Sequence, residues 1–319
     1  MLRGFSGAYL GGCYPLFVSY SLTYRCNGKC DYCAVDSPLV PEMDFSAMVK
    51  ILRQMVRLGL MRISLTGGEP LLHPEFSRVV GLLRDLGVVT TCNTNGFLVE
   101  QHLHALSQLK SVTVSVDGPQ EVHDAARGEG AYEKATLGIA LLKKNRIPVR
   151  IAAVLSGHNI KRIDELADVA AKLGVPLVVQ PAWDHLLGSC LPNPNMPFAQ
   201  NMRTAINRLI ELKKNNALIL NSNACLEHYL NWPNKAPIGC LAGRLTYRLE
   251  PDGRFTHCER MPPEPTWVDL KKVRVDQALK HLGRAGCDRC WCAGQVELQL
   301  ARNLKPDSMK TLIRSAPTV

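Results

Sequence analysis

The sequence predicts an α/β protein built on a parallel sheet, with a small appendage at its C-terminal end. Between residues 16 and 181 short apolar runs alternate with amphipathic stretches of helical period in six successive βα-type units, the pattern of parallel strands joined by helices outside the sheet. After Pro181 the alternation stops and a turn-rich, cysteine-rich segment follows. Six units are too few for an eight-fold barrel, which leaves an open partial barrel or a doubly wound sheet. In both, ligands sit at the C-terminal ends of the strands.

Phe17 to Leu22 reads as the first strand and Phe45 to Leu58 as the first helix, with Asp44 as its cap and Met48, Ile51, Leu52 and Met55 at helical spacing. The order continues with strand Arg62 to Thr66, helix Glu75 to Leu86, strand Val88 to Thr91, a short helix near Leu98 to Leu106, and strand Ser111 to Val116. Helix Tyr132 to Lys144, strand Pro148 to Leu155, helix Ile160 to Leu173 and strand Val175 to Gln180 complete it. "LPNPNMP" then reads as a linker, Phe198 to Asn215 as a helix, and Leu245 to His257 as a hairpin turning at "EPDGR". The expected division is a lead-in over 1–15, a core over 16–190, a linker and helix over 191–235, and a cysteine-rich domain over 236–319.

Composition narrows the class. A hydrophobic fraction of 46% fills a sizeable core, and no apolar run approaches the roughly 18 residues that span a membrane. Glycines interrupt the N-terminal "MLRGFSGAYLGGCYPLF", so it reads as a lead-in strand or substrate-side cap and not as a signal peptide. The expected compartment is therefore the cytoplasm, where twelve cysteines suggest metal ligation before disulfides. The net charge of +10 is spread along helices ("KILRQMVR", "LKKNR", "ELKKNN"), which reads as solvated helix faces rather than a nucleic-acid surface.

Cys26, Cys30 and Cys33 stand in the loop after the first strand, spaced C-x3-C-x2-C. Three thiolates can hold three corners of a [4Fe-4S] cube and leave one iron open to a chelating ligand. The alternatives are a zinc site that borrows His73 or Cys13, or three unrelated core cysteines.

"CNGKCDYC" resembles the signature loop of the radical S-adenosylmethionine (SAM) enzymes, and the resemblance continues over about 170 residues. "SLTGGEPLLHPEF" is similar to the family's glycine-glycine-glutamate-proline segment, and "TTCNTNGF", "VSVDGPQEVHDAARG" and "AAVLSGHNI" follow in the family's order. The resemblance implies a partial (β/α)6 radical SAM barrel. It also implies that SAM chelates the open iron through its amino and carboxylate groups, that an electron cleaves the sulfonium carbon–sulfur bond, and that a 5'-deoxyadenosyl radical abstracts hydrogen from the substrate. A flavodoxin- or ferredoxin-type protein would supply the electron. Carried over by residue, Gly67, Gly68 and Glu69 would meet the methionyl amino group. Pro70 would fix the turn, Tyr32 would touch the adenine, and Ser115 would face the ribose or carboxylate with Asn93 or Asn95 near it. Arg127 would pair with the SAM carboxylate, and Gln180 would reach the ribose or adenine. Capping and turn roles compete for each polar residue outside the glycine-rich segment, Asp117 in "VDGP" among them.

A second group comprises Cys240, Cys258, Cys287, Cys290 and Cys292, where a cysteine on each side of a hairpin and a close set from a later loop can converge on one metal. By residue type alone, zinc and an iron–sulfur cluster stand even. "CLAGRLTYRLEPDGRFTHC" with "CDRCWC" resembles the Twitch extension, the shortened SPASM domain, which implies one auxiliary [4Fe-4S] cluster on Cys240, Cys258, Cys287 and Cys290, with Cys292 as the alternative to Cys290. The remaining Cys13, Cys92, Cys190 and Cys225 read as small core hydrophobes.

The leading expectation is a radical SAM enzyme of oxidoreductase type acting on a small molecule or a peptide. Only about 25 residues precede Cys26, which favours a non-peptide substrate or, for a maturase of ribosomal peptides, a separate recognition protein. The competing expectation is a zinc-stabilised basic nucleic-acid-binding protein, which leaves "GGEP" and the six βα units unexplained. A core that has lost catalysis is a third, opposed by the presence of Cys26, Cys30, Cys33 and Glu69. Trp183, Asp184, His185, Tyr14 and Tyr229 are candidate cavity residues with no assigned chemistry.

Overall fold

The computed structural model describes residues 12–35, 40–186, 191–215, 217–258, 266–285 and 287–314, with the side chains of 312–314 excepted. Six strands alternate with helices: β1 (Phe17–Thr23), α1 (Phe45–Arg57), β2 (Arg62–Gly67), α2 (Phe76–Asp85), β3 (Val89–Thr94), α3 (Leu103–Leu106), β4 (Ser111–Ser115), α4 (Gln120–Arg127), α5 (Ala131–Lys144), β5 (Val149–Leu155), α6 (Ile163–Leu173) and β6 (Leu177–Pro181). There follow α7 (Ala199–Lys214), α8 (Asn223–Tyr229), β7 (Thr246–Leu249), β8 (Arg254–Thr256), β9 (Trp267–Asp269), α9 (Val275–Leu282), α10 (Ala293–Arg302) and α11 (Pro306–Arg314).

The sheet order β6-β5-β4-β3-β2-β1-β7-β8-β9 decides between the two predicted arrangements. A doubly wound sheet reverses its winding at a switch point. Here β1 to β6 lie in chain order and every neighbouring pair is parallel, so right-handed crossovers send the helices to one side. The core is a partial (β/α)6 barrel. β7 adds to β1 in parallel, and β8 and β9 follow antiparallel, so the appendage continues the same sheet.

The two faces of that sheet differ in chemistry. Val18, Tyr20 and Leu22, Ile63 and Leu65, Val112 and Val114, Ile151 and Ala153, and Leu177 and Val179 are buried on the helix side, packed with Met48, Ile51, Leu52 and Met55 of α1 and Phe76, Val79 and Leu83 of α2. Alternation along each strand puts Ser19, Ser64, Thr66, Asn93, Thr113, Ser115, Arg150 and Gln180 on the other side. Asn93 is exposed although its strand is central. Parallel sheets ordinarily bury apolar residues on both faces, so a polar, partly open inner face is space kept for a ligand.

The long periodic elements match the sequence reading to within a few residues. Between 116 and 148, where one helix was expected, two lie in succession. α4, "QEVHDAAR", is short and polar and buries only Val122, His123 and Ala126, too little for a periodic signal. The C-terminal region holds α8, β9, α9, α10 and α11 in addition to the expected helix and hairpin. No helix among the described residues is long and apolar enough to cross a membrane.

Candidate active site at the strand ends

The loop bearing Cys26, Cys30 and Cys33 leaves β1 and is fastened to the end of β2. The Gly68 amide donates to the Thr23 carbonyl and the Glu69 amide to the Arg25 carbonyl, each at 2.8 Å. A Cβ on Gly67 would lie 2.2 Å from the Thr23 oxygen and one on Gly68 2.2 Å from the Arg25 oxygen, and Gly67 also has φ +134°. Both glycines are thus demanded by the cysteine loop itself, a reason the sequence reading, which assigned their space to a ligand, did not contain. The Gly28 amide donates to Cys26 Sγ at 3.4 Å. A Cβ built on Gly28 would sit 3.7 Å from Cys26 Sγ and 3.9 Å from Cys30 Sγ, so the two thiols flank one point.

Glu69 is buried, and its carboxylate ties β2 to β3. Oε1 accepts from the Leu71 amide at 3.1 Å and the Thr94 hydroxyl at 2.8 Å, and Oε2 from the Asn95 amide at 2.8 Å. Burial still pushes its pKa up to about 7. With three donors in place, roughly one acceptor direction is left for a further partner. Pro70 opens a 3₁₀ turn, Pro70–Leu72, that Glu69 caps. Asn95 donates to Asn27 Oδ1 in the cysteine loop at 2.7 Å, and Asn93 to Ser64 Oγ at 3.4 Å.

Asp117 is the centre that the sequence reading passed over as a turn residue. Its Oδ2 accepts from Tyr32 Oη at 3.0 Å and Arg127 Nε at 2.6 Å, and its Oδ1 from the Val154 amide at 2.9 Å. Burial alone would raise its pKa, but Arg127 outweighs that and holds it below the usual carboxylate range. Arg127 also reaches Cys30 Sγ at 3.7 Å and stands over the Tyr32 ring at 5.4 Å. Two residues nominated for SAM, Tyr32 and Arg127, are therefore held here by a buried carboxylate and brace the cysteine loop. Asp31 in that loop meets His158 Nε2 at 2.5 Å and Asn195 Nδ2 at 2.7 Å.

Ser115 lies on the inner face beside Ala152 of β5, partly exposed. Gln180 turns instead to the C-terminal region, its Oε1 accepting from the Ala293 amide at 3.4 Å.

Cys240, Cys258, Cys287, Cys290 and Cys292 line one cavity with Trp183, Gln295 and Gln299. Gln299 donates to Cys290 Sγ at 3.6 Å and Cys287 Sγ to the Arg289 carbonyl at 2.8 Å. Both Cys290 and Cys292 face the space, so it does not choose between them. A thiol-rich cavity with apolar walls at Ala236, Ile238 and Ala242 fits a thiolate-ligated group by donor chemistry. Among the described residues no three His, Cys, Asp or Glu side chains gather closely enough for a single metal ion.

The other candidates separate. His73 is buried, with Nδ1 accepting from the Glu75 amide and Nε2 3.6 Å from Glu42, so both its nitrogens are engaged away from the cysteines. Cys92 and Cys225 are buried as expected, Cys13 is only half-buried, and Cys190 lies outside the described residues. Tyr229 is core, Asp184 and His185 pair with each other at 2.7 Å, and Trp183 alone of that set reaches the cysteine cavity.

Comparison with known proteins agrees with this geometry. Residues 20–170 match the family model of the radical SAM superfamily. The AdoMet-dependent heme synthase of Methanosarcina barkeri is 30% identical over 169 residues, covering 50% of this chain and 48% of that protein. The PqqA peptide cyclase of Gluconobacter oxydans is 27% identical over 168 residues, covering 50% and 47%. The chain spans about half the length of the curated relatives it matches. The crystal structure of Streptococcus suis SuiB bound to S-adenosylmethionine superposes with a TM-score of 0.71 at 15% identity, covering 86% of this chain and 68% of that one, a likeness of fold.

Proposed function

We propose that the chain is a radical SAM enzyme that cleaves S-adenosylmethionine reductively and abstracts hydrogen from a substrate seated on the inner face of the sheet. The observation that carries this reading is the fastening of the three-cysteine loop to Gly67, Gly68 and Glu69 at the mouth of a polar, partly open barrel. Cys26, Cys30 and Cys33 would hold a [4Fe-4S] cluster, which when bound supplies the electron that breaks the sulfonium bond and releases the 5'-deoxyadenosyl radical. The protein's own part is placement. Asp117 fixes Arg127 and Tyr32 against the loop, Glu69 keeps one acceptor direction for the SAM ammonium, and Ser115, Asn93 and Asn95 offer polar contacts on the open side. Gln180 ties the end of β6 to the segment that follows the C-terminal cysteines.

The five-cysteine cavity would hold one auxiliary [4Fe-4S] cluster in a Twitch-like extension that begins near residue 236, after a core over 16–190 and a linker and helix over 191–235. Four or five thiols around one space favour full ligation and an electron-transfer role, and a flavodoxin- or ferredoxin-type protein would reduce the first cluster. A peptide substrate is the second reading, favoured by the relative named as a peptide cyclase; the heme synthase relative favours a small molecule. The test is 5'-deoxyadenosine formation under a chemical reductant. Changing Cys26, Cys30 and Cys33 together to Ala is expected to abolish it while iron at the second site persists. Cleavage at the wild-type rate in that variant would end the reading.

A further inference from the structure

Two arginines stand on the inner face without a carboxylate. Arg62 opens β2, on the side opposite the buried Ile63 and Leu65, and Arg150 stands on β5 opposite the buried Ile151 and Ala153. Both are half-buried. Arg150 donates from Nε to Thr113 Oγ1 at 2.9 Å, and among the described residues neither arginine has an acidic partner. Desolvation lowers Arg62, and desolvation followed by repulsion from Arg62 pushes Arg150 down to about 10. Arg62 and Arg150 are thus near enough on this face to oppose each other.

A third arginine on the same face shows the ordinary arrangement. Arg248 of β7, beside Ser19, is paired with Glu250 at 2.5 Å and donates to Ser21 Oγ at 2.6 Å. Arginine is rarely withdrawn from water without a partner, and a partly desolvated charge without a counter-charge favours taking up an anion. The register places Arg150 in a row with Thr113 and Asn93, one row below Ser115 and Ala152. Arg150 is the second residue of β5 and Arg62 the first of β2, so both stand toward the N-terminal ends of their strands, at the end of the sheet away from the three-cysteine loop. Ser64, two residues beyond Arg62 on the same face of β2 and bonded to Asn93, adds a hydroxyl.

We propose that Arg62 and Arg150, with Thr113, Asn93 and Ser64, form an anion seat in the barrel that receives a carboxylate or phosphate group of the substrate. The anion supplies the missing counter-charge and relieves the repulsion between the guanidinium groups. It also orients the substrate with its uncharged part upward, toward the strand ends. This rests on the proposed radical SAM reading for its role in catalysis, but the binding is a property of the barrel alone.

The experiment measures the thermal midpoint of the full, cluster-reconstituted chain against inorganic phosphate and, separately, acetate, with chloride holding ionic strength constant. Stabilisation of a folded state by a ligand follows its binding. The wild type is expected to rise with one of the two anions beyond chloride, phosphate indicating a phosphorylated substrate and acetate a carboxylic one. Arg150→Gln and Arg62→Gln are each expected to weaken that apparent affinity about tenfold, the loss of a charged hydrogen bond. Without added anion both variants should melt at or above the wild type, since each removes half of a repelling pair. No anion-specific rise in the wild type, an equal rise in both variants, or anion-free midpoints several degrees below the wild type would overturn the proposal. SAM cleavage measured on the same wild-type preparation separates the two readings. Cleavage without anion binding removes only the seat, and anion binding without cleavage removes only the radical SAM assignment.

Discussion

Asp117 shows how one buried side chain sets a site. It receives Tyr32, Arg127 and the Val154 amide, so it joins the cysteine loop, α4 and β5 in one network. Removing one member of a buried charge pair leaves the other uncompensated. Asp117→Ala is therefore expected to lower unfolding free energy by about 3–5 kcal/mol and to loosen Arg127 from Cys30, measured by urea denaturation of anaerobic protein; a loss below about 1 kcal/mol, the worth of an ordinary surface pair, would refute the network's importance. Next to it, His123 is fully buried and accepts the Asp117 amide through Nδ1, which requires the neutral ring. Burial, then the charge on Arg127, pushes its pKa down to about 4, against 6.5 in the unfolded chain. The unfolded state binds the proton more readily between those values, so the stability this ring contributes is complete above pH 6.5 and is lost as pH falls toward 4, about 3 kcal/mol in all. The difference in urea midpoint between wild type and His123→Gln should shift against the wild type over that window. A difference constant with pH would contradict the buried neutral ring. The sequence offered no sign of this network, because Tyr32 lies 85 positions before Asp117 and Val154 a further 37 after it, and each residue type is ordinary in a turn or short helix.

At the scale of elements, the sequence carried the strands and the longer helices plainly. α1 has its cap bond from the Ala47 amide to Asp44 and buries the four apolar residues that the helical period picked out. α4 and α8 to α10 have seven to ten residues each, about two or three turns, and are held by tertiary packing that no local pattern records. The glycine pair after β2 was legible as a feature but its cause was not, since only the fold shows that Thr23 and Arg25 occupy the space where side chains would begin. Gly68→Ala is expected to force the cysteine loop off β2, reducing SAM cleavage by at least about tenfold while the helical circular dichroism stays near wild type, because a Cβ 2.2 Å from a carbonyl oxygen cannot be accommodated without moving the backbone. Wild-type cleavage by that variant would mean that the loop position is not set there.

Across the whole molecule, one sheet runs from β6 to β9 and links the three-cysteine loop at the end of β1 with the region that carries the other five cysteines. The convergence of Cys240, Cys258, Cys287, Cys290 and Cys292 was legible from their spacing, whereas the continuity of the sheet through the β1–β7 pair was not, since parallel pairing between distant segments leaves no local trace. Changing Cys258 and Cys287 to Ala should leave SAM cleavage measurable while roughly halving the iron content; unchanged iron would make the second cavity something other than a cluster site. The central claim is tested most directly by anaerobic iron and sulfide analysis after reconstitution, followed by EPR of the reduced protein with and without SAM. The account predicts about eight irons per chain, two [4Fe-4S] clusters, and a signal that shifts on SAM addition and is lost when Cys26, Cys30 and Cys33 become Ala. Zinc without iron, or reduced-cluster signals indifferent to SAM, would contradict it.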